Sequence, residues 1–186
     1  HVEDISRYAD EASNYHLFRM NIDGTELVQL THGTHNNLDP CWLPDGGIVF
    51  VSARSKRWVN CWLTQVANMY RCDADGRNIR QLSANLEHDN TPWPLPDGRI
   101  AYMRWEYVDR NFGDAQGVWV TNPDGTNHTI FWKNHTSSPG AVLDTRPIPG
   151  TPLFIATFSS CHDRPWGALA IVDRRRGLDG KDPVLR

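Results

Sequence analysis

Residues 90–105 read NTPWPLPDGRIAYMRW, and this stretch decides the fold. It joins a short strand-like segment, a Pro-Asp-Gly turn and a continuous run of apolar and aromatic residues, which is typical of a β-hairpin. The same arrangement occurs in DPCWLPDGGIVFVSAR at 39–54 and, with a Pro-Gly turn that lacks the Asp, in DTRPIPGTPLFIATFS at 144–159. The turn glycines follow one another at intervals of 52 residues: Gly46, Gly98 and Gly150. Such a regular period indicates an internal structural repeat.

A second kind of hairpin precedes each of these segments. Its three copies place an Asp-Gly turn between two short strand-like segments, and they read LFRMNIDGTELVQL at 17–30, MYRCDADGRNIRQL at 69–82 and VWVTNPDGTNHTIF at 118–131. Glycine supplies the positive φ angle that a tight hairpin turn requires. Each repeat therefore predicts two hairpins, which together make four short strands.

Four antiparallel strands in a repeat of about 50 residues are the pattern of a β-propeller blade. We expect an all-β chain of about three to three and a half blades, with repeats at roughly 15–66, 67–115 and 116–165 and the start of a further blade at 166–186. The segments IVFVSA, IAYMRW and LFIATF are the expected buried strands. Because known propellers close with at least about four blades, we expect a partial propeller of a larger protein.

The composition narrows the class of protein. The net charge of −3 over 186 residues gives no basic face of the kind that binds nucleic acid. No apolar run approaches the roughly 20 residues of a membrane-spanning helix. The spacing of the four cysteines matches neither a paired C-x-x-C zinc site nor a C-x-x-C-H haem-attachment motif. We therefore expect one of two states: one or two disulfides, or reduced and buried thiols. The cysteines are Cys41, Cys61, Cys72 and Cys161.

Several longer stretches resemble a known family. The Asp-Gly-rich repeats are similar to propellers of the TolB type. The more specific stretches are NMYRCDADGRNIRQLS at 68–83, HDNTPWPLPDGRIAYMRWEYVDR at 88–110, NPDGTN at 122–127, RPIPG at 146–150 and GALAIVDRRRGLDG at 167–180. This set resembles the middle, propeller domain of hydrazine synthase alpha subunit-like proteins, where that domain lies between haem-bearing segments of an exported redox protein. The resemblance implies a periplasmic or secreted setting and a haem or a metal ion in the parent protein, but not hydrazine synthesis.

Two sets of residues are candidate metal ligands. His88 and Asp89 precede the second Pro-Asp-Gly hairpin, and His35 lies near the equivalent place in the first repeat. In a propeller this loop leads to the mouth of the central channel, where Cys161 or His162 could complete a metal site. The alternative, which we favour, is that His88 and Asp89 fix the loop by hydrogen bonds to the backbone.

The segment SSCHDRPWG replaces a His-rich stretch of the family with Cys161-His162-Asp163. Its functional interpretation is a thiolate activated by the neighbouring histidine, or a pair of metal ligands. Neighbouring residues of a strand point to opposite faces, so the two side chains of Cys161 and His162 need not meet, and we favour a structural role.

The segment RWEYVDR offers a candidate cofactor-binding residue. Tyr107 could ligate the iron of a haem, as tyrosine does in some haem proteins. The alternative is packing between blades by Trp105, with an ion pair between Arg104 and Glu106 or Asp109.

The sequence contains no phosphate-binding loop, no Gly-x-Ser-x-Gly motif and no H-E-x-x-H motif. We therefore expect a non-catalytic scaffold or binding module of an exported bacterial protein, whose partner is the remainder of its own polypeptide or another protein. The alternative is the propeller part of a haem- or metal-dependent periplasmic oxidoreductase. A third, weaker interpretation is a carbohydrate or peptide binder that uses a surface rich in tryptophan.

Overall fold

The computed structural model describes residues 10–109, 115–161 and 166–185. Within them lie thirteen strands and two short 3-10 helices, at Glu11–Ser13 and Arg174–Arg176. The strands are β1 (Phe18–Arg19), β2 (Val28–Gln29), β3 (Asn37–Trp42), β4 (Ile48–Ser52), β5 (Asn68–Cys72), β6 (Arg80–Gln81), β7 (Asp89–Pro94), β8 (Ile100–Trp105), β9 (Gln116–Thr121), β10 (Thr129–Trp132), β11 (Ala141–Pro147), β12 (Leu153–Ser159) and β13 (Gly167–Asp173). None of the helices in the described ranges is long and apolar enough to cross a bilayer.

The strands form four groups, which we call sheets 1 to 4. Sheet 1 is the hairpin β1–β2, sheet 2 contains β3 to β6, sheet 3 contains β7 to β10, and sheet 4 contains β11 to β13. Strands within each sheet are antiparallel, and Val184 extends the outer edge of sheet 4 by a bridge to Val172. One parallel bridge, between Ala141 and Gln116, connects sheets 3 and 4. The predicted all-β architecture of antiparallel sheets is confirmed.

Sheets 2 and 3 each begin with the Pro-Asp-Gly hairpin and end with the Asp-Gly hairpin. In sheet 2, for example, β4 pairs with β5 along all five of its residues. A repeat that is counted from the Asp-Gly hairpin, as at 67–115, therefore starts in the middle of a sheet. The sequence repeat and the sheets have the same period but different starting points. The reason is that each Pro-Asp-Gly hairpin pairs with the Asp-Gly hairpin that follows it, across a long connection.

The core lies between successive sheets. All five residues of β4 are buried, because this strand is covered on both faces. Ile48 and Phe50 pack towards sheet 1, whereas Val49 and Val51 pack towards sheet 3. A strand covered on both faces reads as a continuous apolar run instead of an alternating one. The predicted burial of IVFVSA and of most of IAYMRW is confirmed, and β12 has a mixture of buried and half-buried residues.

The turns have the backbone geometry that their sequences predict. In the Asp-Gly hairpin of sheet 1, Gly24 has a φ of 85°, and the Thr25 amide donates to Oδ1 of Asp23 at 3.0 Å. This is the local turn role expected for that aspartate. The described residues contain no disulfide; Cys72 is fully buried and Cys61 is exposed.

The first strand of each of the last three sheets carries a β-bulge. The register shifts after Leu38 in β3, after Asn90 in β7 and after Leu143 in β11. At each shift one residue has a left-handed backbone, and these are Asp39 (φ 50°), Thr91 (φ 52°) and Asp144 (φ 52°). A bulge bends the strand and redirects its side chains. Here it turns the same position of three strands towards a shared surface.

Candidate functional site

His88 lies half-buried in the loop before β7, beside the start of β5. Its Nδ1 accepts a hydrogen bond from the Ala67 amide at 3.0 Å, so the neutral ring carries its proton on Nε2. Burial lowers the pKa of His88, and the neutral form is favoured for that reason. The ring also lies against Trp105, with 5.7 Å between centroids. One ring nitrogen is therefore committed to the backbone.

Asp89 follows His88 and is fully buried. Burial raises the pKa of Asp89 to about 6, and hydrogen bonds from Ser83 and Asn85 and the charge of Arg104 oppose that shift only in part. Asn85 donates from Nδ2 to Oδ1 of Asp89 at 3.3 Å and to the Trp105 carbonyl at 2.7 Å. These bonds join the loop before β7 to the end of β8. They support the interpretation that His88 and Asp89 fix their loop.

Cys161 lies half-buried at the end of sheet 4, where its carbonyl accepts from Nε2 of Gln116 at 2.8 Å. Its neighbour in the sequence, His162, lies outside the described residues. Tyr107 is 40% exposed and meets Trp105 edge-on, with 6.0 Å between ring centroids. Among the described residues, no three His, Cys, Asp or Glu side chains form a group that could hold a metal ion. The metal and haem roles of these residues stay predictions.

Sequence reasoning did not identify Glu87, whose side chain is only 1% exposed. Its Oε1 accepts from the backbone amide of Asn60 at 3.2 Å and from the Asn60 side-chain amide at 2.6 Å. Asn60 lies 27 residues away, in the connection between β4 and β5. A buried carboxylate held by two hydrogen bonds is a strong anchor for a loop. One feature of the sequence could have pointed to Glu87: it occupies the same position in the second repeat as His35 does in the first.

The loop that Glu87 anchors forms a small hairpin, which we call the Trp hairpin (residues 58–65). Trp58 bridges Gln65, and the Val59 amide donates to the Thr64 carbonyl at 2.9 Å. Val59 of this hairpin is buried, but its other large apolar side chains are exposed: Trp62 is 62% exposed, Leu63 42% and Trp58 38%. Exposed aromatic residues on a rigid support are typical of interaction surfaces.

A groove runs from the Trp hairpin across the first strands of sheets 2, 3 and 4. It consists of two adjoining clefts of about 250 and 290 Å³ that share Leu38, Val51 and Asn90. The first cleft adds uncharged hydrogen-bonding side chains: Asn36, Thr64, Gln65 and His88. The second adds the bulge residues Asp39, Thr91 and Asp144, together with Leu143. We call the combined surface the channel groove.

The bulge residues link neighbouring sheets along the floor of the channel groove. The Thr91 amide donates to Oδ2 of Asp39, and the Asp144 amide donates to Oγ1 of Thr91, both at 3.3 Å. Burial, foremost, and the charge of Asp144 raise the pKa of Asp39. Asp144 is also paired with Arg146, whose Nη2 lies 3.5 Å from Oδ1 of Asp144. This end of the groove therefore carries charges of both signs, while the end nearest the Trp hairpin is polar and uncharged.

Comparisons with known proteins bear on this arrangement. No protein-family model and no curated protein matches the chain. Among solved structures, hydrazine synthase of Kuenenia stuttgartiensis superposes on 88% of the chain with a TM-score of 0.73 at 18% identity. A putative TolB of Agrobacterium tumefaciens superposes on 64% with a TM-score of 0.52 at 24% identity. An oligogalacturonate lyase in complex with manganese superposes on 87% with a TM-score of 0.57 at 15% identity.

The chain has a β-propeller fold. It spans 28%, 41% and 40% of the lengths of those three proteins, which is well under half of each. In a propeller the first strand of each sheet is the innermost, and β7 lies against both β3 and β11 as that arrangement requires. The channel groove therefore lies where the first strands of the last three sheets approach one another. At these levels of identity the likeness concerns the fold, and the residues of the groove have to be judged on their own chemistry.

Proposed function

We propose that the chain is a non-catalytic propeller module of an exported bacterial protein, and that its channel groove binds an extended peptide segment. The segment belongs to the remainder of the same polypeptide or to a protein partner. The observation that carries the proposal is the continuity of the groove, which combines an apolar floor, uncharged hydrogen-bonding side chains and a firmly anchored Trp hairpin.

The chemistry of the groove favours a peptide. Amide side chains such as Asn36, Gln65 and Asn90 can both donate to and accept from a peptide backbone. Leu38 and Val51 offer an apolar floor for alternate side chains of an extended segment. Asp39, Asp144 and Arg146 at the other end offer hydrogen-bonding and charged groups to a polar side chain of the segment. The Trp hairpin contributes Thr64 and Gln65 to the groove. It also carries the exposed Trp62, an aromatic residue of the kind that dominates binding energy.

The periplasmic or secreted location is part of the same proposal and rests on the sequence resemblance. It is tested by expressing the complete natural polypeptide in its host and separating the cell fractions. Recovery of the protein in the cytoplasmic fraction alone would contradict it.

Binding is tested with arrays of random hexapeptides and of glycans, followed by fluorescence polarisation with the best labelled binder. Asn90→Ala should weaken binding at least tenfold, because this residue lines both clefts. Gln81→Ala is the matched control, since it removes an amide from the exposed outer strand β6 and should leave affinity unchanged. Selection of glycans instead of peptides, or equal affinities for the two variants, would overturn the proposal.

A second candidate function is the propeller part of a haem- or metal-dependent periplasmic oxidoreductase. It is favoured by the structural likeness to hydrazine synthase. The described residues do not by themselves fit a metal site, because Nδ1 of His88 is occupied by a backbone amide and Asp89 is enclosed by its own hydrogen bonds. Tyr107 would then supply one ligand, and the remaining ligands would have to come from elsewhere in the protein. A Soret band or stoichiometric metal in the complete polypeptide, lost on Tyr107→Phe, would favour this candidate.

A further inference from the structure

We infer that the cleft between the turns of sheets 3 and 4 binds a small organic carboxylate, and that Arg174 is the residue that holds it. The carboxylate takes the two terminal Nη groups of the Arg174 guanidinium, and the apolar part of the ligand lies against Phe131 and Phe154. We call this site the Arg174 cleft. It shares no lining residue with the channel groove, and the inference is independent of the peptide proposed there.

The Arg174 cleft is small and mostly apolar, with a volume of about 240 Å³. Its walls come from the Pro-Asp-Gly turn of sheet 3, the Pro-Gly turn of sheet 4, β10 and the turn after β13. Its apolar lining includes Leu95, Pro96, Phe131, Pro147, Pro152 and Phe154. Sites that enclose drug-sized ligands measure roughly 300–1,000 Å³, so this cleft admits only a small molecule or the end of a chain.

The charged side chains that line the cleft do not cancel. Arg99 donates from Nε and Nη2 to Oδ2 of Asp97 at 2.9 and 2.7 Å, so these two groups neutralise each other. Arg174 donates from Nε to the Phe131 carbonyl at 2.6 Å, and within the described part of the chain nothing accepts a hydrogen bond from its Nη groups. The cleft therefore carries one uncompensated positive charge and an unused pair of donors.

The guanidinium of Arg174 is held in place before any ligand arrives. Its central carbon lies 3.7 Å from the centre of the Phe131 ring, and the bond from Nε fixes its direction. A guanidinium that is already ordered loses little conformational freedom when it binds a ligand. Burial, foremost, and the charge of Arg99 lower the pKa of Arg174, while the charge of Asp97 opposes this shift. An anion beside Arg174 would offset the unfavourable surroundings of its charge.

The position of Arg174 is a departure from the repeat. Between sheets 2 and 3, Arg71 donates from Nη1 to the Pro123 carbonyl at 3.1 Å and from Nη2 to Oδ2 of Asp45 at 2.9 Å. Between sheets 3 and 4, the strand registers place Val120 at the position of Arg71 and Arg174 at the position of Pro123. The arginine has thus moved to the other side of the contact, where it has no carboxylate of the chain as a partner.

The chemistry of the cleft selects a monocarboxylate among anions. The two Nη groups offer parallel donors that match the two oxygens of a carboxylate. A phosphate or sulfate would bring further oxygens into a mainly apolar cleft, where polar groups without partners are costly. The rings of Phe131 and Phe154, with 5.7 Å between centroids, favour an aromatic group on the acid. A free acid and the C-terminal residue of a peptide present this same chemistry, and the test separates them.

The test is an NMR titration of the intact, isotope-labelled chain with phenylacetate. The ligand should shift the amide signals of residues 95–99 and 151–154 and the Nε–H signal of Arg174, and leave those of the channel groove unchanged. Phenylacetamide, which has the same ring but no charge, should bind at least tenfold more weakly, and so should inorganic phosphate.

Two arginine variants locate the charge that matters. Arg174→Gln should weaken phenylacetate binding at least tenfold. Arg176→Gln is the matched control, because it removes the same charge from an exposed side chain of the same turn that does not line the cleft, and it should leave the affinity unchanged. If Arg174→Gln does not fold, the comparison of acid with amide and the positions of the shifted signals on the parent chain decide the matter.

A peptide that ends in phenylalanine identifies the source of the carboxylate. Binding of acetyl-Gly-Gly-Phe at least tenfold tighter than phenylacetate, and lost in its C-terminal amide, would identify the end of a chain as the occupant, whereas binding no tighter than that of phenylacetate would identify a free acid. The inference is wrong if acid and amide bind equally, if phosphate binds more tightly than the acid, or if the two arginine variants lose affinity equally. Signal shifts confined to other parts of the chain, or no saturable binding of either acid, would also overturn it.

Discussion

Asp89 is a single residue whose environment should govern part of the pH dependence of folding. Burial raises its pKa to about 6 from an ordinary value of 3.8, so the folded protein favours the protonated carboxyl. Its contribution to stability is therefore complete below about pH 3.8 and is lost as the pH rises through about 6. Asn37 holds the same repeat position and is also buried, where its amide donates to the Tyr15 and His35 carbonyls. An amide is thus compatible with this site.

We expect Asp89→Asn to remove this loss. The free energy of unfolding of the variant minus that of the parent should increase by up to about 3 kcal/mol from pH 4 to pH 7. This figure is the shift of the Asp89 pKa from 3.8 to about 6, converted at about 1.36 kcal/mol per pKa unit. Urea unfolding at several pH values measures it. Asp97→Asn is the opposite control, because the hydrogen bond from Arg99 lowers the pKa of Asp97 and its contribution disappears as the pH falls. Parallel curves for parent and Asp89→Asn would contradict the prediction.

At the scale of single residues, the sequence could predict local features of the site but not its long-range contacts. His88 and Asp89 lie at the start of β7, and the position of such a strand can be predicted because turn residues and apolar runs are local signals. The partners of these residues were not predictable. Ala67 lies 21 residues from His88, and Asn60 lies 27 residues from Glu87, so both contacts depend on how the connection between β4 and β5 folds back.

At the scale of elements, the Asp-Gly hairpins offer a matched pair of positions. Gly24 and Gly76 have almost equal φ angles, 85° and 82°, so alanine meets the same backbone cost of about 1 kcal/mol at either site. Only at Gly76 would the new methyl group also collide with the Leu30 carbonyl of the neighbouring sheet. Gly76→Ala should therefore destabilise the chain by about 1–3 kcal/mol more than Gly24→Ala.

Chemical denaturation of the two variants measures the difference directly. Because the backbone cost is the same at both sites, the difference in free energy of unfolding between the two variants measures the contribution of the contact between sheets 1 and 2. Equal losses of stability would mean that the outer hairpin of sheet 2 can move away from Leu30 without cost. Such a result would weaken the view that successive sheets are held in close contact by their Asp-Gly turns.

The elements themselves were largely predictable, but their grouping was not. Strand segments and turns follow from apolar runs and glycine positions, which act over a few residues. Whether β5 pairs with β4 or with a later strand depends on a connection of fifteen residues that contains the Trp hairpin. The sequence repeat therefore defines the period, and only the pairing of β4 with β5 defines where a sheet starts.

At the scale of the whole molecule, stability should vary along the chain. Strand β4 and the first four residues of β8 are buried, whereas β1 and β2 are largely exposed and the first three residues of β13 are exposed. Regions with few buried contacts open locally, and regions in a core exchange their amides only when the whole domain unfolds. The two ends of the array are thus expected to open before its middle.

Hydrogen exchange followed at increasing, sub-denaturing urea concentrations tests this gradient. Amides of β4, β5, β8 and β9 should exchange with the free energy and urea dependence of global unfolding. Amides of the β1–β2 hairpin should exchange at least a hundredfold faster and with little dependence on urea. The β5–β6 hairpin is the internal control, because it has the same repeat sequence pattern but a paired inner edge. If the two hairpins exchange alike, the inner strand is not what stabilises the outer one, and the chain behaves as one cooperative unit from sheet 1 to sheet 4.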